Sequence, residues 1–186
     1  MIPMDFSTGG GMTTLSFDVA RTAEQRREPW EAMEREGLTR AILWNTTRPT
    51  LYDWLTLIDQ ERTLLGLVHA EGSLAGAFWV LPMGLSGTVH FVMFRRWRHE
   101  QIFIGVEAVR FIFYTWPLES LLATFPATYR HLYPFISALG FTLWPERLTG
   151  ACHMPTEKNP HRCVDMRFAS LCRSFFEEYH TWKKEA

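Results

Sequence analysis

The chain has 186 residues, of which 47% are hydrophobic and 15% aromatic, and its formal net charge is −1. This length favours one domain with a substantial core, and the apolar content excludes a disordered chain. The charge leaves no footprint for nucleic acid, and no apolar run reaches the ~18 residues of a membrane span. Charge and apolar pattern therefore predict neither a nucleic-acid partner nor a membrane partner. Three cysteines are too few for a disulfide framework, so we expect a cytoplasmic protein.

The first part of the chain predicts a loose start, one strand and two helices. Residues 1–14 are rich in Gly, Met, Ser and Thr, which argues against regular structure. The alternating segment Leu15–Val19 predicts a strand. Thr22 can cap a charged helix that ends at Gly37, and residues 49–59 predict a second helix with one apolar face.

Three strand-like segments and a long helix occupy the middle of the chain. The strands cover residues 64–70, 74–81 and 88–94, and short connections that contain glycine predict antiparallel hairpins between them. Residues 100–114 give the strongest helical pattern, because their apolar side chains recur on one face before Pro117 ends the helix.

The last third predicts a strand, a helix, a pair of strands and a tail that can be helical. These segments cover residues 118–125, 128–139, 141–148, 163–171 and 175–186. Pro134 lies within the predicted helix, so we expect a kink or a late helix start. The elements predict an α+β or α/β fold. Its single domain spans residues 15–174, with a mixed, mostly antiparallel sheet of about six to seven strands flanked by about four helices.

The order strand, strand, strand, helix, strand, helix ends in Leu139-Gly140-Phe141 and resembles the conserved half of the GNAT family of N-acetyltransferases. The resemblance implies a GNAT-like domain that uses acetyl-CoA as co-substrate. It also implies an acceptor amine, on a small molecule or a protein, that attacks the thioester directly. Acetyl-CoA lies in that family beside the splayed strand that is here residues 88–94. The implied contacts to the acyl group are therefore backbone groups of Phe91, Val92 and Met93.

The turn after this strand binds the cofactor pyrophosphate in the family, through backbone amides made accessible by glycines. By resemblance, the cofactor-binding residues here are Arg98, Gln101 and Gly105. Gln101 and Phe103 stand where the family has its two glycines. Two interpretations stay open: a modified phosphate site in which the arginines at positions 95, 96 and 98 supply charge, or a solvated basic turn.

Two residues are candidates for proton transfer. His90 lies on the strand where relatives often place a glutamate, so it is a candidate base; the alternative is a histidine that serves only strand structure. Relatives commonly carry Asn and Tyr at positions that here read Tyr129 and Ile136. Tyr133, about one turn upstream of Ile136, can reach the same space as a candidate acid; the alternative is an interfacial aromatic side chain.

Other polar groups give weaker signals. Glu107 is expected on the outer face of its helix, which makes it a poor base. Cys152, His153, His161 and Cys163 flank one loop, but adjacent side chains on a strand point to opposite faces, so we predict no zinc site. The sequence therefore leaves two functions open: an N-acyltransferase, or a catalytically degenerate protein of the same fold that acts as a binding or assembly module. No motif specifies the acceptor, the acyl chain or the oligomeric state.

Overall fold

The structure is a computed structural model that describes residues 13–59 and 63–185, with side chains through His180. The first twelve residues of the predicted loose segment lie outside the described part. The strands are β1 (Leu15–Val19), β2 (Leu64–Ala70), β3 (Ser73–Met83), β4 (Ser86–Met93), β5 (Ser120–Pro126), β6 (Thr142–His153) and β7 (Cys163–Cys172). The helices are α1 (Ala23–Glu36), α2 (Thr39–Ile42), α3 (Leu51–Ile58), α4 (Gln101–Thr115), α5 (Leu132–Ala138) and α6 (Arg173–Glu185), and a 3₁₀ turn covers Arg95–Glu100.

All seven strands belong to one sheet with the order β1-β2-β3-β4-β5-β7-β6. Every neighbouring pair is antiparallel except β4 and β5, which run parallel. The predicted mixed, mostly antiparallel sheet is therefore confirmed. The described part of the chain has six helices instead of about four, because α2 and α6 add to the expected set.

The parallel pair β4–β5 is short, and the two strands then diverge. Pairing covers only Ser86–Val89 against Ser120–Ala123, while β4 continues to Met93 with β3 as its partner. The Phe94 N–H donates to the Ala75 carbonyl at 3.0 Å, so the amide of Phe94 points toward β3. The amides of successive residues in a strand point to opposite edges of that strand. The amides of Met93 and Phe91 therefore point to the other edge of β4, which faces the gap.

Two apolar layers cover the two faces of the sheet. One contains Phe78 and the α4 residues Ile104 and Ile112. The other contains Trp79 with Trp54 of α3. Since successive side chains of a strand point to opposite faces, Phe78 and Trp79 anchor opposite layers. The candidate residues of β4 are divided in the same way, with His90 on the α1–α3 side and Phe91 on the α4 side.

Local sequence signals set several helix ends. Thr22 and Gln25 form the capping box that starts α1, and Gly37 ends this helix in the left-handed conformation with φ 68°. Helix α5 starts late, at Leu132, so Pro134 lies in its first turn, where a proline removes no helical hydrogen bond. The late start was one of the two outcomes expected for this proline.

The C-terminal helix α6 packs onto the domain. Phe176 is 2% exposed, and its ring lies 5.7 Å from that of Phe113 in α4. His180 Nε2 lies 3.3 Å from the Leu139 carbonyl oxygen. Across residues 13–59 and 63–185, no helix is both long and apolar enough to cross a membrane.

Candidate active site

A cavity of about 410 Å³ opens where β4 and β5 diverge; we call it the main cavity. The β4 segment His90–Met93 forms one wall, and Phe125 and Phe135 face it from β5 and α5. Arg98 and Gln101 lie among its lining residues at the β4–α4 junction, and Ala41 and Ile42 line it from α2. The cavity therefore brings together the predicted residues Phe91, Val92, Met93, Arg98, Gln101 and His90.

Only one of the three arginines after β4 reaches this cavity. Arg98 is exposed and lines it. The Arg95 N–H donates instead to both carboxylate oxygens of Glu36, at 3.1 and 2.9 Å, and the Arg95 Nη2 donates to the Glu36 carbonyl at 3.1 Å. The Arg96 guanidinium lies 4.8 Å from the centre of the Trp97 ring. The positive charge available to a ligand in the cavity thus comes from Arg98.

Gly105 lies one turn inside α4 and is not among the residues that line the main cavity. A Cβ atom at this position would come within 2.8 Å of Leu139 Cδ2 and 3.0 Å of the Phe135 ring. The missing side chain therefore allows α4 to approach α5 closely. This contact gives Gly105 a structural task that is separate from phosphate binding.

His90 lies in the wall between the main cavity and a second cavity of about 330 Å³. Its ring stacks on Trp79, its cross-strand partner, with ring centres 5.2 Å apart and an angle of 14° between the planes. Burial lowers the pKa of His90 from its ordinary value to about 4. The imidazole is consequently neutral near pH 7 and can accept a proton or a hydrogen bond.

The second cavity is lined by the segment Ile42–Thr46 and by α3. Its polar side chains are Asn45, Thr46, Tyr52, Asp53 and Thr56. The carboxylate of Asp53 accepts hydrogen bonds from Thr50 N–H and Thr50 Oγ1, at 2.8 and 2.7 Å, and so caps α3. Among the described residues, the buried Trp79 Nε1–H has no acceptor, although Trp79 lines both cavities.

The two tyrosines near α5 take different positions. The Tyr133 hydroxyl donates to the Ala127 carbonyl at 3.4 Å, and Tyr133 is not among the residues that line the main cavity. Tyr129 does line it, and its hydroxyl donates to the Ala41 carbonyl at 3.2 Å. Ile136, at the family's usual tyrosine position, is buried and contributes an apolar surface to the same cavity.

Two polar groups outside the cavity differ in their surroundings. The expectation that Glu107 faces outward is wrong: this residue is 5% exposed, and its carboxylate accepts from Arg110 Nε at 3.1 Å. Cys152 is buried and Cys163 is exposed. Within the described segments, no three or more His, Cys, Asp or Glu side chains group in a way that could hold a metal ion.

Sequence reasoning found the aromatic residues of this cavity only in part. Trp44 and Trp79, which the sequence leaves open as groove walls or as core residues, line the main cavity, and so does Tyr129, which reads as an interfacial aromatic residue. The α2 segment Thr39–Ile42 is too short to give a helical period. The glycine at position 37 is the only local signal that the chain turns back toward β4 at this point, since it ends α1.

No protein-family model matches the sequence, and no curated protein matches it. Solved structures do match its fold. Spermidine N-acetyltransferase from Vibrio cholerae, in complex with CoA and spermine, has a TM-score of 0.68 at 10% identity, over 88% of this chain and 98% of that chain. The ribosomal-protein-S5-alanine acetyltransferase from Vibrio fischeri gives 0.64 at 10% identity, over 92% and 97%. The microcin C7 self-immunity acetyltransferase, in complex with acetyl-CoA and AMP, gives 0.61 at 10% identity, over 84% and 92%.

These similarities establish the fold of the chain, which is that of the GNAT acyl-CoA N-acyltransferases. The resemblance drawn from the strand and helix order is confirmed at this level. The gap between β4 and β5 and the residues around it are features of this chain's own structure.

Proposed function

We propose that the protein is a divergent member of the GNAT family that transfers an acyl group from acyl-CoA to an amine. The observation that carries this proposal is the free edge of β4 beyond Val89. The amides of Phe91 and Met93 face a cavity there, and none of the described strands pairs with β4 on this edge beyond Val89. Backbone N–H groups fixed at such a position can polarise a thioester carbonyl without any particular side chain.

The reaction that fits this arrangement is direct attack by the amine. The amine nitrogen forms a bond to the thioester carbon, and negative charge on the carbonyl oxygen is stabilised by the free β4 amides. The nitrogen then loses a proton to the neutral imidazole of His90. The carbon–sulfur bond breaks, which gives an amide and a CoA thiolate. No acyl-enzyme is involved, because the described cavity lining contains no cysteine, serine or lysine that could act as a nucleophile.

The departing thiolate needs a proton, and Tyr129 is placed to give it. Tyr129 lines the main cavity and Tyr133 does not, although each hydroxyl donates to a backbone carbonyl, that of Tyr129 to Ala41 and that of Tyr133 to Ala127. Burial raises the pKa of Tyr129, so its phenol keeps its proton near neutral pH. We therefore assign the acid role to Tyr129 in preference to Tyr133, with solvent as the final source of the proton.

Arg98 and Gln101 are the residues that we propose for the cofactor phosphates. Both line the cavity at the start of α4, where the positive end of the helix dipole also attracts anions. Two of the matched structures contain CoA or acetyl-CoA, and one of these two proteins is a spermidine N-acetyltransferase in complex with spermine. These facts support acyl-CoA as donor and an amine as acceptor.

A second function is favoured by one specific contact. The Arg95 N–H donates to the Glu36 carboxylate, so a negative charge already lies at the turn where the family resemblance places the pyrophosphate. This carboxylate would repel a phosphate bound at the same turn. The corresponding proposal is a protein of the same fold that lacks catalysis and serves as a binding or assembly module.

Calorimetric titration with acetyl-CoA and with CoA separates the two functions. The enzyme proposal predicts saturable binding of both ligands. Arg98→Ala should weaken the affinity about 5- to 20-fold, and more at low salt, since it removes a phosphate contact. Arg96→Ala is the matched control, because Arg96 lies over Trp97 instead of in the cavity. Absence of binding up to millimolar ligand would reject the acyltransferase.

A further inference from the structure

A third cavity, of about 240 Å³, adjoins the main cavity on its α2 side; we call it the basic cavity. Its walls come from α2, from the segment before α5 and from the loop between β6 and β7. The residues that line it are Arg40, Ala41, Trp44, Tyr129, Met154, Pro155 and Arg162. Ala41, Trp44 and Tyr129 also line the main cavity, so the two spaces share one wall.

Two guanidinium groups face this cavity without an acidic partner. Arg40 Nη2 donates to the Pro155 carbonyl at 3.3 Å, which ties α2 to the β6–β7 loop and leaves other N–H groups of Arg40 available. Within the part of the chain that the structure describes, no carboxylate forms an ion pair with Arg40 or Arg162. Two acidic residues of the loop and of β7 form other ion pairs, Glu157 with Arg48 at 3.8 Å and Asp165 with Arg147 at 3.2 Å.

The hydroxyl of Tyr129 lies within the field of both guanidiniums. Burial raises the pKa of this hydroxyl, and the charges of Arg40 and Arg162 act in the opposite direction. The two arginines, which are far apart in the sequence, thus act on one polar atom in the shared wall. Such a convergence of positive charge without a counter-ion is typical of a site for a bound anion.

We propose that the basic cavity binds an oxyanion, a carboxylate or a phosphate, carried by the acyl acceptor, while the amine of the same molecule lies at His90. This inference rests on the proposed acyltransferase function and gives its acceptor a chemical class. Trp44 lines the main, second and basic cavities and supplies a continuous aromatic surface between the two ends of the ligand. The acceptor is therefore an amino acid or an amino phosphate that carries both groups on one molecule.

The charges around the cavities disfavour a polycationic acceptor. Among the described residues, neither the main nor the basic cavity is lined by an acidic side chain. Asp53 lines the second cavity, but its carboxylate is held by Thr50 at the start of α3. A polyamine would bring additional positive charge toward Arg40 and Arg162 with no carboxylate to receive it.

Matched pairs of amines test the proposal. Phosphoethanolamine is compared with ethanolamine, and β-alanine with β-alaninamide, so that each pair differs by one anionic group. Affinities are measured by calorimetry with CoA at saturation, and acetylation of the same four amines is measured with acetyl-CoA. We expect the anionic member of at least one pair to be favoured 10-fold or more in dissociation constant and in kcat/KM, and the pair concerned identifies phosphate or carboxylate.

Arginine variants then locate the effect. Arg40→Gln and Arg162→Gln should each reduce the preference for the anionic amine on the order of 10-fold, and the double variant should abolish it. Arg130→Gln is the matched control, because this side chain is exposed and Arg130 lines none of the three cavities. Affinity for CoA should be unchanged in all of them.

Three results would overturn the proposal. The first is equal or better binding of the neutral amines, or of spermidine, by the unmodified protein. The second is an anion preference that survives both arginine substitutions. The third is a loss of affinity for CoA but not for dephospho-CoA in the variants, which would assign the basic cavity to the cofactor 3′-phosphate.

If CoA itself fails to bind, the acyltransferase proposal fails. Titration with inorganic phosphate, compared between the unmodified protein and the double variant, then decides separately whether the basic cavity holds an anion.

Discussion

His90 and Trp79 are the pair of side chains on which the proposed chemistry depends most directly. Their rings stack in the wall between the main and second cavities. This position leaves the imidazole half-buried, and its burial against the neighbouring side chains lowers the pKa of His90 to about 4. A base of this kind remains unprotonated at every pH where an amine acceptor is reactive.

The same pKa predicts a dependence of stability on pH. In the unfolded chain a histidine binds a proton below pH ~6.5, whereas folded His90 stays neutral until about pH 4. The unfolded state therefore binds more protons between these values, and the free energy of unfolding should fall by about 2 kcal/mol as the pH drops from 6.5 to 4.5. His90→Gln should lack this component, which denaturant titrations at several pH values can measure.

The control for this measurement is His161→Gln, because His161 is exposed and its side chain makes no hydrogen bond or ion pair among the described residues. That variant should follow the pH curve of the unmodified protein. Parallel curves for His90→Gln and the unmodified protein would contradict a neutral, buried His90. If His90 is also the base, His90→Gln should lower kcat on the order of 100-fold and leave the affinity for CoA nearly unchanged.

The connection between β4 and α4 lacks the glycines that the family resemblance associates with a phosphate-binding turn. Its residues Arg95–Glu100 form a 3₁₀ turn. Glu36, the last residue of α1, holds the first amide of this turn through its carboxylate. The side chain of a neighbouring helix therefore does part of what a bound phosphate would do, and it stabilises the turn without a ligand.

Neutralising that carboxylate should favour cofactor binding. Glu36→Gln keeps an oxygen that can accept from the Arg95 N–H but removes a negative charge beside the proposed phosphate site. We expect the affinity for CoA to rise about 2- to 5-fold, with a larger effect at low ionic strength. Isothermal titration at two salt concentrations measures the change.

Glu34→Gln provides a charge-matched comparison on the same helix, since no hydrogen bond or ion pair of the described residues links the Glu34 side chain to the turn. It should leave the affinity for CoA within 2-fold. Weaker binding of CoA to Glu36→Gln than to Glu34→Gln would contradict this expectation. It would show that the Glu36 carboxylate stabilises the shape of the turn more than its charge repels the phosphates.

At the scale of the whole molecule, α6 closes one layer of the core. Phe176 and Phe113 meet between α6 and α4, and Phe176 is 2% exposed. Phe176→Ala should therefore lower the free energy of unfolding by about 3–5 kcal/mol, because it removes a large buried ring and leaves a cavity. Phe175→Ala should cost less than about 1 kcal/mol, since Phe175 is 46% exposed. Denaturant unfolding of both variants measures the difference, and equal losses would contradict the position of α6.

The fold was predictable where local signals agreed with one another. Glycine-containing turns separate β2, β3 and β4, and the apolar period of α4 follows them directly. The site was predictable only in part. His90, Arg98 and the β4 residues could be placed from the order of elements, because that order fixes which strand diverges. Three features could not be predicted: the short α2 segment, the burial of Glu107, and the position of Arg40 and Arg162 around one cavity. They depend on contacts between distant parts of the chain, which leave no local sequence pattern.

The short parallel contact between β4 and β5 has a mechanical consequence. It is the only strand-to-strand link between β1–β4 and the group β5, β7 and β6 in the described part of the sheet. Two antiparallel parts of the sheet are thus joined by a boundary that is hydrogen-bonded at one end and open at the other. The amides along this boundary should exchange hydrogen with solvent faster than those inside either part. An elongated ligand bound in the opening would contact both parts and hold them together.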